Sequence, residues 1–335
     1  MHFSYTRELA GGARASVFDL ESSALQGNPL GDPSLRSHPV LLPKTLTPGL
    51  PLVLVLGGYT GFGHKFLNKG SLWEETLVER LARLQNADLI PPAIFAMPSC
   101  ETRLGGSQYL NSTGTGRYED MVIQELVPAL EKEFGCGGEG NRVVVGKSSG
   151  GFGALSLVMR NPGFFKAAAS HCGDMAFDLC QMRGFPDALT CWKKFGGPEK
   201  FLQALPDLKF NFSVHAGVEC IAMSTCYSPN PDSSLGCDLP VDPDTGAINE
   251  KVFARWLEHD PLRMVEKEAY ADALRQLDCL YLDAGEKDEF ALQWGLRRLL
   301  PRLEALDISH HAEFFDGGHF QTDVRYEISL PRLLG

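Results

Sequence analysis

Val143-Val144-Val145-Gly146-Lys147-Ser148-Ser149-Gly150-Gly151 is the stretch on which the fold turns. Three valines form a buried strand, and a helical pattern runs from Gly150 to Arg160. Between them stands a G-x-S-x-G. A serine on a sharp strand-to-helix turn needs glycine on either side, because side chains there would strike the neighbouring backbone. Its hydroxyl is then raised above the sheet, and the N–H of the next residue, Ser149, faces any oxyanion forming at the helix N-terminus. Gly146-Lys147-Ser148 also has the look of the end of a phosphate loop. That pattern asks for glycine at 141, where the chain has Asn141, and its loop positions are the strand valines. The reading is a nucleophile elbow with Ser148 as nucleophile.

A serine hydroxyl attacks only when a base takes its proton and an acid orients that base. In this architecture the chain order is Ser, then Asp or Glu, then His. After the apolar strand Leu280-Tyr281-Leu282-Asp283 comes the loop 284–289, with Asp288 near its end as candidate acid. Asp288 would equally suit an N-cap of the next helix, and Asp283, Glu286 and Glu289 are the other acids within reach. After Glu313-Phe314-Phe315 comes Asp316-Gly317-Gly318-His319. A histidine behind two glycines just past a strand end is the candidate base, and the other eight histidines are worse placed.

A second oxyanion donor is expected from Gly57-Gly58-Tyr59-Thr60-Gly61, the loop after Leu52 to Leu56, with the amide of Gly58 or Tyr59 as donor. The polar loop from Met97 to Ser112 is expected to line the site, since loops at the carboxyl ends of parallel strands do so. Trp192, Trp256 and Trp294 are candidates for an apolar pocket, though large aromatics more often fill cores. No spacing suggests a metal site, and no cofactor is expected.

Outward from the elbow, strands at 15–20, 39–42, 52–56, 94–97, 142–145, 165–170, 280–283 and 313–315 alternate with helices at 118–134, 150–160 and 290–306. Continuous apolar strands alternating with amphipathic helices indicate a mostly parallel sheet with helices on both faces. Approximately 174–277 breaks the rhythm and reads as an insertion over the carboxyl edge, a candidate lid within a single domain. With the serine turn at its centre, the expected fold is that of an α/β-hydrolase.

Composition agrees with an ordinary globular chain: 335 residues, 44% hydrophobic and 22% charged. With 31 basic against 42 acidic residues the net charge is −11. That balance offers no electrostatic footprint for nucleic acid or an anionic membrane. No apolar run approaches the ~20 residues of a spanning helix, and the first twenty residues lack a signal-peptide core. Nine scattered cysteines without a C-x-x-C pair read as reduced thiols. The expected location is the cytoplasm; oligomeric state is not legible.

Several of these segments together resemble the esterase branch of the α/β-hydrolases, the group of S-formylglutathione hydrolases, enterochelin (siderophore) esterases and mycolyltransferases. They are Gly57 to Gly61, Gly105-Gly106-Ser107-Gln108-Tyr109, Gly146 to Gly151, Asp283 to Phe290 and Gly317-Gly318-His319, with Leu25 to Pro33 similar to the branch's opening segment. The resemblance implies Ser148 as nucleophile, Asp288 as acid, His319 as base, and oxyanion amides at Ser149 and near Tyr59. Where many members carry His-Gly in the first oxyanion loop, this chain has Gly57-Gly58. The expected function is a serine carboxylesterase for a small or short-acyl ester, working through an acyl-enzyme. Alternatives are a thioesterase of the S-formylglutathione hydrolase type, a siderophore esterase, and a catalytically silent binding module.

Overall fold

The computed structural model describes residues 2–335. Nine strands form the main sheet: β1 (His2–Glu8), β2 (Arg14–Glu21), β3 (Leu35–Leu42), β4 (Leu52–Leu56), β5 (Ile94–Ala96), β6 (Arg142–Lys147), β7 (Ala167–His171), β8 (Cys279–Gly285) and β9 (His311–Phe315). Their spatial order is β1-β2-β3-β5-β4-β6-β7-β8-β9. The pairs from β1 to β5 are antiparallel, and from β5 onwards every neighbouring pair is parallel.

Because side chains alternate across a strand, each central strand feeds two cores. Leu52, Leu54, Leu56, Val144, Ala168, Leu280 and Leu282 pack on one face. Val53, Val55, Val143, Val145, Ala167, Ala169 and Tyr281 pack on the other. The first core is closed by the helical run 118–134 (α2) and by α3 (Ser149–Arg160). Its middle turn, Met121–Leu126, widens to a π-helix just before Pro128, which has no N–H to donate one turn back. The second core is closed by α1 (Leu77–Asn86) and by the C-terminal helix Arg325–Leu334, neither of them among the helices expected from the sequence.

Between β7 and β8 the chain makes one long helical excursion, with α4 (Phe185–Phe195), α5 (Phe212–Tyr227), α6 (Glu250–Leu257) and α7 (Glu268–Arg275). Residues up to Trp256 build a third core around Trp192, Phe201 and Ile221, and that core takes in Tyr59, Leu104 and Leu110 from carboxyl-edge loops. From Leu262 onward the chain rejoins the first core through Met264, Ala271 and Leu274. The self-contained part of the excursion thus ends earlier than 277. No helix among the described residues is long and apolar enough to cross a membrane.

Candidate active site

Strand β4 lies between β5 and β6, so the order of travel across the sheet reverses there. Such a reversal parts the loops at the carboxyl ends and leaves room for a ligand. Leu56 pairs with Gly146, so the loops leaving β4 and β6 emerge side by side.

Ser148 occupies φ 58, ψ −128, between the end of β6 and the first turn of α3. A non-glycine residue in this region is strained and is held there by its surroundings. Its N–H donates to the His171 carbonyl at 2.9 Å, and its carbonyl accepts from Phe152 N–H at 3.0 Å. The flanking glycines are steric requirements. A Cβ on Gly146 would lie 2.2 Å from the Gly150 carbonyl oxygen, and one on Gly150 would lie 2.2 Å from that of Leu56. A Cβ on Gly58 would sit 3.3 Å from Ser148 Cβ, which puts the β4 loop directly against the serine. That loop is braced from behind. Tyr109 Oη donates to the Gly57 carbonyl at 2.7 Å, and Tyr59 Oη donates to the Leu104 carbonyl at 2.6 Å.

His319 Nδ1 lies 2.8 Å from Asp288 Oδ2, both side chains being buried. Asp288 does not cap the following helix, whose N-cap is Ala291 without a side-chain bond; it accepts the Phe290 N–H at 2.8 Å and holds the histidine. Glu289 supports the same loop by accepting the His319 backbone N–H at 2.6 Å. Phe290 and Phe320 flank the imidazole at 4.7 and 5.4 Å between centroids. Residues on both sides of Ser148 reach this group. Lys147 Nζ stands 5.9 Å from the Phe320 ring centre, and Ser149 Oγ donates to Asp174 at 3.1 Å, a carboxyl that lies in the field of His319. No protein hydrogen bond joins Ser148 Oγ to His319 among the described residues; free enzymes commonly hold this contact loosely and tighten it on substrate.

The other acids of the β8 loop have separate duties. Asp283 binds His171 Nδ1 at 2.9 Å and Arg325 Nε at 2.8 Å, and Glu286 pairs with Arg297 on the surface. Ser329 Oγ lies 3.0 Å from His171 Nε2, which completes a second Ser-His-Asp set. It is sealed in the core, with His171 1% exposed and Ser329 fully buried, so no substrate reaches it. Trp192 and Trp256 are core residues, and Trp294 is 55% exposed. None of the three is placed as a pocket wall.

Asp174 and Glu219 were not singled out from the sequence, and Gln108 entered only within the segment Gly105 to Tyr109. Burial pushes the Asp174 carboxyl up to about 6 against the pull of His319, and pushes Glu219 up to about 8. Burial lowers Lys147 against the pull of Asp323 and Asp288. Cys172 Sγ comes together with Asp288 and His319 within 4.8 Å. Burial raises that thiol, and the Asp288 carboxylate and His319 Nδ1 are already paired with each other at 2.8 Å.

A doubly covered parallel sheet with a strained serine at its reversal point and a buried Asp–His pair opposite defines an α/β-hydrolase. The family model described as Putative esterase matches residues 38–332, so the chain belongs to that family and is an ester-hydrolysing enzyme. Solved structures with the same fold include a ferulic acid esterase (TM-score 0.64, 17% identity, 96% of this chain and 98% of that one). Others are the fluorophosphonate-binding serine hydrolase F of Staphylococcus aureus (0.60, 15%, 97% and 100%) and an S-formylglutathione hydrolase from Agrobacterium tumefaciens (0.59, 16%, 100% of both). No curated protein sequence matches the chain.

Proposed function

We propose that the chain is a serine carboxylesterase in which Ser148, His319 and Asp288 form the triad. The observation that carries this reading is the strained backbone of Ser148 beside a loop whose histidine is fixed by a buried aspartate. His319 takes the Ser148 proton as the oxygen attacks the ester carbonyl, and Asp288 holds the tautomer and stabilises the imidazolium. The oxyanion lies against the Ser149 amide and one from Gly58 or Tyr59. His319 then protonates the leaving alcohol, and water releases the acyl group by the same route.

The substrate is a small or short-acyl ester. The part of the excursion up to Trp256 serves as a cap, because its core shares Tyr59 with the candidate oxyanion loop. The structural neighbours are named for ferulate esters and for a glutathione thioester, so aryl esters and thioesters belong in the substrate panel beside short alkyl esters. Nine free cysteines suit a reducing compartment such as the cytoplasm.

Intact-mass analysis after treatment with a fluorophosphonate tests the reading. One adduct is expected on the wild type, none on Ser148→Ala, and slowed labelling on His319→Ala. An unlabelled wild type would refute it.

A further inference from the structure

Strand β1 is irregular between Phe3 and Tyr5: Phe3 pairs with Phe18, Tyr5 pairs with Val17, and Ser4 is the extra residue. Such a bulge re-aims the side chains that follow it. Phe3 packs on the first core, whereas Arg7 stands opposite Ala15 of the second core, and Tyr5 shares its face. The cover on that face is the short turn Gly63–Leu67, which rests Phe66 and Leu67 on the second core. Between sheet and turn lies an open cavity of about 360 Å³, lined by Ser4, Tyr5, Arg7 and Val17 from the sheet and by His64 and Leu67 from the turn. None of the candidate catalytic residues lines it.

Arg7 is the charged member of this lining, and its Nε and Nη2 are buried without a hydrogen-bond partner. Its ion-pair partner among the described residues is Glu79, 3.8 Å from Nη2 and beyond hydrogen-bond reach. Glu79 is also committed elsewhere: its Oε2 accepts the Thr76 N–H at 2.8 Å and lies 3.8 Å from Lys69 Nζ. A buried donor left without an acceptor costs stability, so the guanidinium is under-satisfied by its own chain. No aspartate or glutamate lines the cavity among the described residues, although the chain as a whole carries a net charge of −11. The guanidinium is also reachable, since the Arg7 side chain keeps 39% of its accessible surface.

We propose that this cavity is a binding site for a small organic anion, its carboxylate or phosphate group on Arg7 and its apolar part against Val17 and Leu67. Guanidinium is a donor-only fork that matches the paired oxygens of either head group. Ser4, Tyr5 and His64 each bring a further polar group able to donate to the same oxygens. An amine would be repelled by Arg7, and a neutral alcohol offers no charge to set against it. The volume is of the size that holds small organic molecules rather than a bare inorganic ion. The inference does not depend on the esterase reading.

The test is calorimetric titration of the full chain with benzoate, phenyl phosphate and benzyl alcohol, in a buffer free of phosphate. At least one of the two anions should bind at least about tenfold more tightly than the alcohol, and the tighter of them identifies the head group. Arg7→Gln should weaken that binding at least about tenfold, while Arg14→Gln, which removes an exposed arginine of β2 outside the cavity, should leave it unchanged. An anion held in the candidate active site instead would bind Arg7→Gln as well as wild type. A measurement on the wild type alone guards against misfolding of the variant. Modification of Arg7 by phenylglyoxal, followed by peptide mass spectrometry, should be slowed about tenfold by the saturating anion and not by benzyl alcohol, with Arg14 modified at the same rate throughout. The proposal is overturned if neither anion binds more tightly than the alcohol, if Arg7→Gln binds undiminished, if Arg14→Gln loses as much, or if Arg7 is not protected.

Discussion

Asp283 and Asp288, one on strand β8 and one on the loop that leaves it, each hold a histidine by Nδ1, at 2.9 and 2.8 Å, yet only the second pair faces the carboxyl edge. Asp283 is shared with the buried Arg325, so its carboxylate neutralises a core cation. The two substitutions should separate chemistry from stability. Asp288→Asn should lower kcat by roughly 10⁴-fold with melting nearly unchanged, because the imidazole loses its tautomer. Asp283→Asn should lose roughly 1–3 kcal/mol of stability, because His171 and Arg325 lose the carboxylate they share while Arg325 keeps Glu313 at 2.7 Å. Paired kinetic and denaturant-unfolding measurements decide it, and the reverse pattern would exchange the roles assigned to the two carboxyls.

A Cβ on Gly58 would press on Ser148 Cβ at 3.3 Å, closer than ordinary contact, so an added methyl group acts first on the site. Gly58→Ala should reduce kcat by about 10²-fold, the scale of a misplaced oxyanion donor. Gly150→Ala meets backbone at 2.2 Å and should instead destabilise the fold. Circular dichroism melts alongside ester kinetics distinguish these outcomes.

Glu289 reaches the candidate base through its backbone only. Removing the carboxylate in Glu289→Ala frees the Gly317–His319 turn, and kcat should fall about tenfold with KM little changed. Glu289→Gln, which retains an acceptor for the His319 N–H, should recover most of that loss. Equal rates in all three proteins would mean that the turn is fixed without this contact.

Acid stability has an identifiable source in His38. This side chain is fully buried, its Nδ1 accepts the Ser99 N–H at 3.0 Å, and burial together with Arg36 lowers its pKa from 6.5 to about 3. The unfolded chain therefore takes up the proton first. The contribution is complete above about pH 6.5 and disappears as pH falls toward about 3, at up to roughly 1.4 kcal/mol per pH unit. His259, lowered to about 4, acts in the same direction. His38→Asn keeps an acceptor for Ser99 and should flatten the acid limb of stability against pH, measured by urea unfolding between pH 7 and 4. An unchanged slope would remove His38 as the cause.

The glycine-flanked turn at Ser148 and the contact of Asp288 with His319 were legible because the expected chemistry dictates both residue type and chain order: strand, glycine, serine, glycine, helix, then an acid and a histidine after later strands. The apolar runs 52–56 and 143–145 were legible because both their faces are covered. Helix α1 could have been read from its capping box, Thr76 with Glu79, whose reciprocal bonds are present. The partner of Ser149 was not legible: Asp174 accepts its hydroxyl from a segment without a motif of its own, and only the way the chain leaves β7 brings the two together. The sealed set of His171, Asp283 and Ser329 illustrates the same limit, since burial is what separates it from the set at the edge.

The excursion leaves from β7 and returns at β8, and these strands are hydrogen-bonded neighbours. Its ends are thus clamped close together by the sheet, while Ser148, the 57–61 loop and the His319 loop hang from other connections. Replacing that single connection would change what covers the carboxyl edge while leaving the segments that carry Ser148, Asp288 and His319 in place.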